Sequence, residues 1–233
     1  SIERLAFANE TISVSSPIIL DLDGNGTRFV SAAESDATFD LDGDGVRDNT
    51  AWISAGDAFL FLDRDGSGFV SDANEINFVD DVEDARSDLD GLKSFDSNGD
   101  GLLSVADDRF GEFGVWQDLD TDGQVDAGET FTLDQAGIES IDLNATPTEA
   151  GFRLGGVAVA NQGIFNRTDG TSGSFADAAI TFFEQGIPEL PTIDFVGQTY
   201  DPSSSKYRVH AVDGELMIGS KRRAETALAG ATI

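Results

Sequence analysis

The sequence predicts an α+β fold in which short strands and helices are organised around EF-hand-like loops, with a β-rich C-terminal part. Short apolar runs such as PIILDL, AFLFLD and VWQDLD each lead into a cluster of Asp, Asn and Gly, which predicts strands or helix ends that deliver carboxylates into tight loops. Apolar residues recur at three- and four-residue intervals over about 82–95 and predict a helix there, with a shorter one in part of 105–113. After Gly151 the composition shifts toward Gly, Ala, Val and Phe with alternation, which indicates β-structure.

Composition limits the classes of protein to which the chain can belong. Its 233 residues are 39% hydrophobic, enough for a buried core, but 44 acidic against 14 basic residues give a formal net charge of -30. We therefore expect no nucleic-acid partner and no membrane insertion, because both depend on basic or long apolar segments. The absence of cysteine and the single histidine exclude disulfides, thiolate sites and imidazole metal clusters. The charge points instead to cations held by oxygen ligands.

The loop at residues 118–129 matches the twelve-residue EF-hand calcium loop at every diagnostic position. Side-chain oxygens at positions 1, 3 and 5 converge on one point, and glycine at position 6 permits a sharp turn. Position 7 contributes a backbone carbonyl, and glutamate at position 12 can close the shell with both oxygens, so a hard cation fits the set. The predicted ligands are Asp118, Asp120, Asp122, Gln124, Asp126 and Glu129.

Two further loops keep the same spacing with a different closure. In the loop at 96–107 an aspartate takes position 12, as in dockerin loops, whereas in the loop that starts at Asp63 position 12 is Asn74 and the glutamate follows one residue later. The predicted ligands are Asp96, Asn98, Asp100, Leu102, Ser104 and Asp107 in the first loop, and Asp63, Asp65, Ser67, Phe69 and Glu75 in the second.

Two other loops begin with the same three ligands and the glycine at position 6, and then depart from the pattern. Arginine occupies position 8 and alanine position 12, so a remote carboxylate such as Glu34, Asp48 or Asp57 would have to complete each site; calcium-free Asp-Gly turns are the alternative. The predicted ligands are Asp40, Asp42 and Asp44 in one loop, and Asp21, Asp23 and Asn25 in the other. Together, these EF-hand-like calcium loops predict three to five bound Ca²⁺ ions.

Calcium is expected to be needed for folding. Without an ion the clustered carboxylates repel one another, and the apolar runs between the loops are too short to fold alone. Trp52 and Trp116 lie inside apolar runs, which favours core positions beside the loops over a ligand-stacking face.

Four segments are expected along the chain: the end of an upstream β segment at 1–16, the calcium-binding module at 17–186, a linker and β-hairpin at 187–220, and a flexible tail at 221–233. The two prolines of IPELPT predict the linker, and Asp213-Gly214 between alternating runs predicts the hairpin. We expect the chain to be part of a longer protein.

A series of motifs carries a family resemblance: PIILDLDGNGT, the second DLDGDG before Trp52, VWQDLDTDG and RTDGTSGSFAD, in this order. With them, residues 17–183 resemble the calcium-dependent self-processing module of the iron-regulated RTX proteins. The segment IERLAFANETISV is similar to the stretch that often follows the glycine-rich calcium β-roll of RTX proteins. The resemblance implies export by a type I secretion machinery and calcium-dependent folding outside the cell.

The resemblance also implies a reaction. In processing members, an aspartate immediately before the initial proline attacks its own carbonyl, which breaks the Asp-Pro bond and leaves an anhydride that a lysine amine can capture. In this chain Ser16 occupies that position, before Pro17, so the nucleophile is missing and no catalytic residue is carried over.

The leading interpretation is a calcium-binding structural or folding module of a large type I-secreted RTX protein, extracellular or attached to the cell surface, that does not cleave itself. One alternative is a calcium-activated autocatalytic Asp-Pro cleavage and ligation module, for which Asp201-Pro202 is the single Asp-Pro pair in the chain. Another is a dockerin-like protein-binding module, based on the loop at 96–107. The expected partners are calcium and the secretion machinery, and any further protein or cell-surface partner is left open.

Overall fold

The protein is built mainly from antiparallel β-strands, so the predicted α+β class is wrong. The computed structural model describes residues 12–149, 152–155, 157–183, 207–212 and 215–220. Within these ranges the helical content is one α-helix of five residues and four 3₁₀ turns. No EF-hand helix–loop–helix unit occurs in them.

The strands are short except for two long ones, β14 and β15, which come late in the chain. They are β1 (Ile12–Ser15), β2 (Ile18–Asp21), β3 (Phe29–Val30), β4 (Thr38–Phe39), β5 (Asp48–Thr50), β6 (Trp52–Ile53), β7 (Asp57–Leu62), β8 (Leu102–Ser104), β9 (Phe113–Trp116), β10 (Thr130–Thr132), β11 (Ile138–Asp142), β12 (Thr146–Pro147), β13 (Arg153–Leu154), β14 (Val157–Arg167), β15 (Ser172–Phe183), β16 (Tyr207–Val212) and β17 (Glu215–Ser220). The helical segments are α1 (Asp88–Leu92) and 3₁₀ turns at Ala73–Glu75, Val79–Asp81, Lys93–Phe95 and Phe110–Glu112.

The helix predicted at about 82–95 is shortened to α1 and the 3₁₀ turn that follows it. Ser87 caps the start of α1, where its hydroxyl accepts a hydrogen bond from the Asp90 amide at 3.4 Å. Gly91 lies against the Phe78 carbonyl so closely that a Cβ atom would sit 1.8 Å from the oxygen, which explains a glycine inside the helix. The apolar spacing therefore identified the buried side of this segment correctly and overestimated the length of the helix. The helix predicted in 105–113 is a single 3₁₀ turn.

The long strand β15 is the centre of the sheet. Along one edge it pairs with β14, and along the other it pairs with β2 through Phe175–Asp177 and with β1 through Ile180–Phe183. From β2 the sheet continues through β7 and β9 to β10, and from β1 through β16 to β17. All of these pairs are antiparallel.

Both faces of the central sheet are buried. All six residues of β7 are buried; Phe59 and Phe61 enter one hydrophobic cluster, while Leu60 and Leu62 enter the other. Such two-sided burial explains why the strands read as continuous apolar runs rather than alternating ones. The first cluster contains both tryptophans, and α1 packs its apolar side onto the second.

The acidic loops begin where the buried strands end. Asp21 is the last residue of β2, Asp40 and Asp63 directly follow β4 and β7, and Asp118 comes two residues after β9. The fifth loop starts at Asp96, directly after a 3₁₀ turn. The loops are thus positioned by strand ends rather than by helix pairs, which corrects the EF-hand-like architecture expected from the motif.

Parts of the predicted organisation lie outside the described residues. They are residues 1–11 of the upstream segment, residues 187–206 of the predicted linker and hairpin at 187–220, and the tail at 221–233.

Two phenylalanines cover glycines on neighbouring strands. Gly163 lies opposite Phe175 and Phe165 opposite Gly173 in the β14–β15 pair, and both rings belong to the same core cluster. A Cβ atom at Gly173 would lie 2.2 Å from the Phe165 ring. The missing side chains therefore make room for the rings that fill the core.

We expect Gly173→Ala to lower the free energy of unfolding by about 1–3 kcal/mol, because the added methyl group overpacks the site under Phe165. Gly111→Ala is the matched control, since a Cβ atom there meets nothing within 4 Å. Urea unfolding in saturating calcium measures both variants, and equal losses of stability would contradict the packing argument.

Candidate metal centre

Three of the five acidic loops bring three carboxylates together. In each, carboxylate oxygens from three residues lie within 4.8 Å of one another. The three groups are Asp118, Asp120 and Glu129; Asp63, Asp65 and Glu75; and Asp40, Asp42 and Asp44. Oxygen clusters of this size are the ligand type that calcium prefers.

In the loop at 118–129, the first and last carboxylates organise the backbone. Asp118 accepts hydrogen bonds from the amides of Thr121 at 2.7 Å and Gly123 at 2.8 Å. Glu129 reaches back and accepts from the amides of Leu119 at 2.8 Å and Asp126 at 3.0 Å. Both side chains are buried, so the loop has an inward-facing anionic end that is shielded from solvent.

The two tryptophans support these carboxylates from the core. The Trp52 indole N–H donates to Asp118 Oδ2 at 2.6 Å, and that of Trp116 donates to Glu129 Oε2 at 3.4 Å. Both rings are buried, and their centroids are 5.5 Å apart. The expected core position is confirmed, and the contact with the loop carboxylates was not anticipated, because sequence spacing does not show which way a ring edge points.

Burial raises the pKa of Asp118, and the nearby charge of Glu129 adds to the increase, although hydrogen bonds from Gly123, Trp52 and Thr121 oppose it. The ionised form of Asp118 is therefore disfavoured in this environment without a counter-charge. A divalent cation at this position supplies that charge.

The loop at 118–129 is also held against the residues on either side of the loop at 40–45. The Thr38 amide donates to the Asp122 carbonyl at 3.1 Å, and Arg47 Nη2 donates to the Gly123 carbonyl at 2.6 Å. Gly123 has φ +80°, and a Cβ atom there would lie 2.4 Å from the Thr38 carbonyl oxygen. Both the turn and the close approach therefore require glycine at this position.

In the loop that starts at Asp63, Glu75 takes the closing position. Its carboxylate accepts from the amides of Arg64 at 2.8 Å and Ser71 at 2.7 Å, and the side chain is buried. Asp63 Oδ1 is buried without a hydrogen-bond partner among the described atoms, while Oδ2 accepts from the Gly68 amide at 3.0 Å. An unsatisfied buried carboxylate oxygen fits a site that accommodates a cation.

The loop at 96–107 has the same internal hydrogen bonds. Asp96 accepts from the amides of Gly99 at 2.7 Å and Gly101 at 2.8 Å, and the buried Asp107 accepts from those of Ser97 at 2.8 Å and Ser104 at 2.9 Å. Its acidic side chains are not among the three close groups found in the described part of the chain.

The loop at 21–26 is joined by Asp57, one of the three remote carboxylates considered from sequence. Asp21 and Asp57 are directly opposite each other in the β2–β7 pair, and both are buried. Burial, reinforced by the charges of Asp21 and Asp23, raises the pKa of Asp57 to about 7, with an opposing hydrogen bond from the Arg28 amide. Asp57 Oδ1 has no hydrogen-bond partner among the described atoms.

The other two remote carboxylates have different surroundings. Glu34 accepts a hydrogen bond from the Ser31 hydroxyl at 2.9 Å and stays near the surface. Asp48 is buried in β5, opposite Phe39. In the loop at 40–45, Asp40 accepts from the amides of Gly43 and Gly45 at 2.8 and 2.9 Å.

The remaining predicted ligands lie in the loops but outside the close groups. Asp122 accepts from the Gln124 side chain at 2.5 Å, and Asp100 accepts from Asn98 at 3.0 Å. The others outside the close groups are Asp23, Asn25, Ser67, Phe69, Leu102, Ser104 and Asp126. Phe69 and Leu102 are at position 7, where the motif uses the backbone carbonyl.

The fold and the loops together define a β-rich module whose strand ends lead into acidic turns, three of which bring together carboxylates that could hold a metal ion. Residues 18–181 match the family described as the SPM domain, and the chain therefore belongs to this family. The chain is 38% identical over 168 residues to the iron-regulated protein FrpA of Neisseria meningitidis serogroup C. This alignment covers 69% of the present chain and 15% of FrpA, so the chain corresponds to a small part of that protein.

We expect Trp52→Phe to lower the free energy of unfolding more than Trp116→Phe, by about 1–3 kcal/mol, because it removes the shorter hydrogen bond to a buried carboxylate. The two substitutions remove the same volume from the same cluster, so each is the control for the other. Urea unfolding at one fixed calcium concentration measures the difference, and equal losses would show that packing alone determines the effect.

Proposed function

We propose that this chain is a calcium-binding structural module of a larger secreted protein, that it folds around its ions, and that it does not cleave itself. The observation that carries the proposal is the loop at 118–129, where two buried carboxylates and Asp120 turn oxygens toward one another. Oxygen ligands alone, with no histidine or cysteine in the close groups, favour calcium over transition metals.

The balance of charge supports the same proposal. The chain carries a formal net charge of -30, and much of it is concentrated at the ends of strands that share one sheet. Repulsion between these ends opposes the closing of the sheet, whereas each calcium ion removes two charges from the place where they are densest. Ion binding and folding would then be one process.

The location and partners that we propose for this chain are based on its similarity to FrpA. Similarity to an RTX-type protein favours export by a type I secretion machinery and a place outside the cell, where calcium is plentiful. None of the described helices is long and apolar enough to cross a membrane. The role of the whole protein would be determined by segments beyond the aligned part.

The proposal that the chain is inert in self-cleavage rests on Ser16. This residue is buried, between β1 and β2, and the following Pro17 carbonyl accepts a hydrogen bond from the Ala178 amide at 3.1 Å. The junction is therefore held by the central strand. A serine at this position has no side-chain carboxylate that could attack the residue's own carbonyl carbon.

Circular dichroism and thermal unfolding in EDTA, calcium and magnesium test the calcium proposal. We expect loss of cooperative structure in EDTA, recovery between micromolar and millimolar calcium, and poor substitution by magnesium, which demands a near-octahedral shell. Identical spectra and melting temperatures with EDTA and with calcium would refute the proposal.

Glu129→Gln should raise the calcium concentration at which half of the circular dichroism signal is recovered by ~tenfold or more, because it removes the closing ligand of the best-formed group. Asp42→Asn should raise this concentration less.

We expect the unmodified chain to remain intact in calcium for hours and Ser16→Asp to cleave slowly before Pro17. An aspartate carboxylate can close a five-membered anhydride on its own carbonyl carbon as the Pro17 nitrogen leaves with a proton, and holding the junction in one geometry lowers the barrier. Intact mass after calcium addition detects fragments 1–16 and 17–233, with Ser16→Ala as the control.

Cleavage of the unmodified chain at this bond would overturn the assignment of an inert module. An intact Ser16→Asp protein that still folds with calcium would show that more than the nucleophile has been lost. A break at Asp201-Pro202 is scored separately, because acidic handling of the sample cleaves such bonds.

A further inference from the structure

The loops at 40–45 and 118–129, each of which holds one of the close carboxylate groups, are connected to each other at two places. One connection is made by hydrogen bonds from the residues on either side of the loop at 40–45. The other is made by aromatic rings in the core. The geometry of one loop therefore depends on that of the other.

The first connection joins Thr38 and Arg47 to the turn of the loop at 118–129. The Thr38 amide donates to the Asp122 carbonyl at 3.1 Å. A single nitrogen of Arg47, Nη2, donates to the Gly123 carbonyl at 2.6 Å and also to the Thr38 carbonyl. One guanidinium group thus ties together backbone from both loops, and it stays charged over the whole ordinary pH range.

The same turn is held from its other side by a carboxylate. The Gly123 amide donates to Asp118 Oδ2 at 2.8 Å, while the Gly123 carbonyl accepts from Arg47. Asp118 belongs to the close group of its loop, and Asp40, which opens the other loop, directly follows β4 with its Thr38. Gly123 therefore lies between a predicted ligand of its own loop and the arginine of the neighbouring one.

The second connection runs through Phe39 in β4. Its buried ring has its centroid 5.4 Å from that of Trp116 and 5.9 Å from that of Trp52. The two indoles donate in turn to the buried carboxylates of the loop at 118–129. The guanidinium carbon of Arg47 is 5.8 Å from the Phe39 centroid, within cation–π range. Movement of Phe39 would therefore disturb the hydrogen-bond donors of the other loop.

The arginine of the loop that starts at Asp63 makes contacts of a different kind. Arg64 donates to both carboxylate oxygens of Asp81, at 2.7 and 3.0 Å. It also donates to the carbonyls of Asn74 at 2.9 Å and Asn77 at 3.1 Å. These partners lie in the segment that closes its own loop or follows it directly, and none of them belongs to another acidic loop. This third close group is therefore an internal reference.

We propose that the loops at 40–45 and 118–129 bind calcium cooperatively, and that Arg47 couples them. The inference rests on the proposed function, because it concerns the same ions. An ion in one loop fixes the turn of that loop, and the contacts of Arg47 and Phe39 then fix part of the other. The second ion therefore binds to a loop that is already ordered. By thermodynamic linkage the effect is equal in both directions.

Charge by itself predicts the opposite sign. A first calcium ion neutralises two nearby negative charges, and so weakens the attraction of the other loop for its own ion. Positive cooperativity between these loops would therefore come from their shared geometry. The sign of the coupling separates the two causes.

Asp44→Asn and Asp120→Asn, alone and together, test the coupling by urea unfolding at one saturating calcium concentration. Each substitution removes the exposed member of its close group, so the buried contacts stay in place. Each bound ion multiplies the folded-to-unfolded ratio, and the losses from two independent sites multiply as well. With coupling, the double variant should keep a ratio ~tenfold above the product of the two single losses.

Three controls separate this coupling from general effects. Asp65→Asn removes the exposed member of the third close group, and its loss should multiply with that of Asp120→Asn to within about twofold. Arg47→Met removes the guanidinium and keeps an unbranched side chain, so in this background the excess between Asp44→Asn and Asp120→Asn should disappear. Arg64→Met removes the same charge beside the reference loop and should leave that excess in place.

Native mass spectrometry needs only single variants, so it remains decisive if the double variant does not fold. The spectra are recorded at the lowest calcium concentration that keeps the variants folded. Asp44→Asn should then lower the number of bound ions by two, because the loss of one ion weakens the binding of its partner. Asp65→Asn should lower the number by one.

Two results would overturn the coupling and leave calcium binding in place. They are single losses for Asp44→Asn and Asp120→Asn that simply multiply, and an equal excess with and without Arg47→Met. A folded-to-unfolded ratio that calcium raises in none of these proteins would refute the proposed function itself, and the coupling with it.

Discussion

Repulsion among carboxylates at the ends of buried strands is the constraint on which the rest of this structure depends. The apolar sheet places Asp21, Asp63 and Asp118 where their strands stop, so the forces that bury the core also concentrate negative charge. Backbone amides and two indole N–H groups satisfy some of the oxygens, and others have no partner among the described atoms. Under the proposed function, a cation would supply the counter-charge that makes the core and the loops compatible.

Sequence spacing predicted that carboxylates come together in the acidic turns, and three of the five turns show such a group, because positions within one turn are separated by few residues and are held by local geometry. The loop at 118–129 has Asp118 and Glu129 at its two ends as the motif requires, and Glu75 closes its loop one residue late. The surrounding architecture was predicted wrongly, because the motif is associated with helix pairs while here strands lead into most of the loops. A loop motif therefore predicts a local cluster of carboxylates more reliably than the surrounding fold.

Long-range contacts could not be predicted from the sequence. Asp57 joins the loop at 21–26 through strand pairing, and Trp52 reaches Asp118 from 66 residues away. Each of these contacts follows from the order of strands in the sheet, which periodicity alone does not determine.

The position of β15 has a consequence for the timing of folding. The strand that pairs with both β1 and β2 lies near residue 180, so Leu20 finds its partner Phe175 only across 155 residues of chain. Pairings of such high contact order form late and slowly. The central sheet cannot close until almost the whole module is available. If the chain emerged from a narrow channel with its N-terminus first, β1 and β2 would have to wait for β15 before they could find their partner.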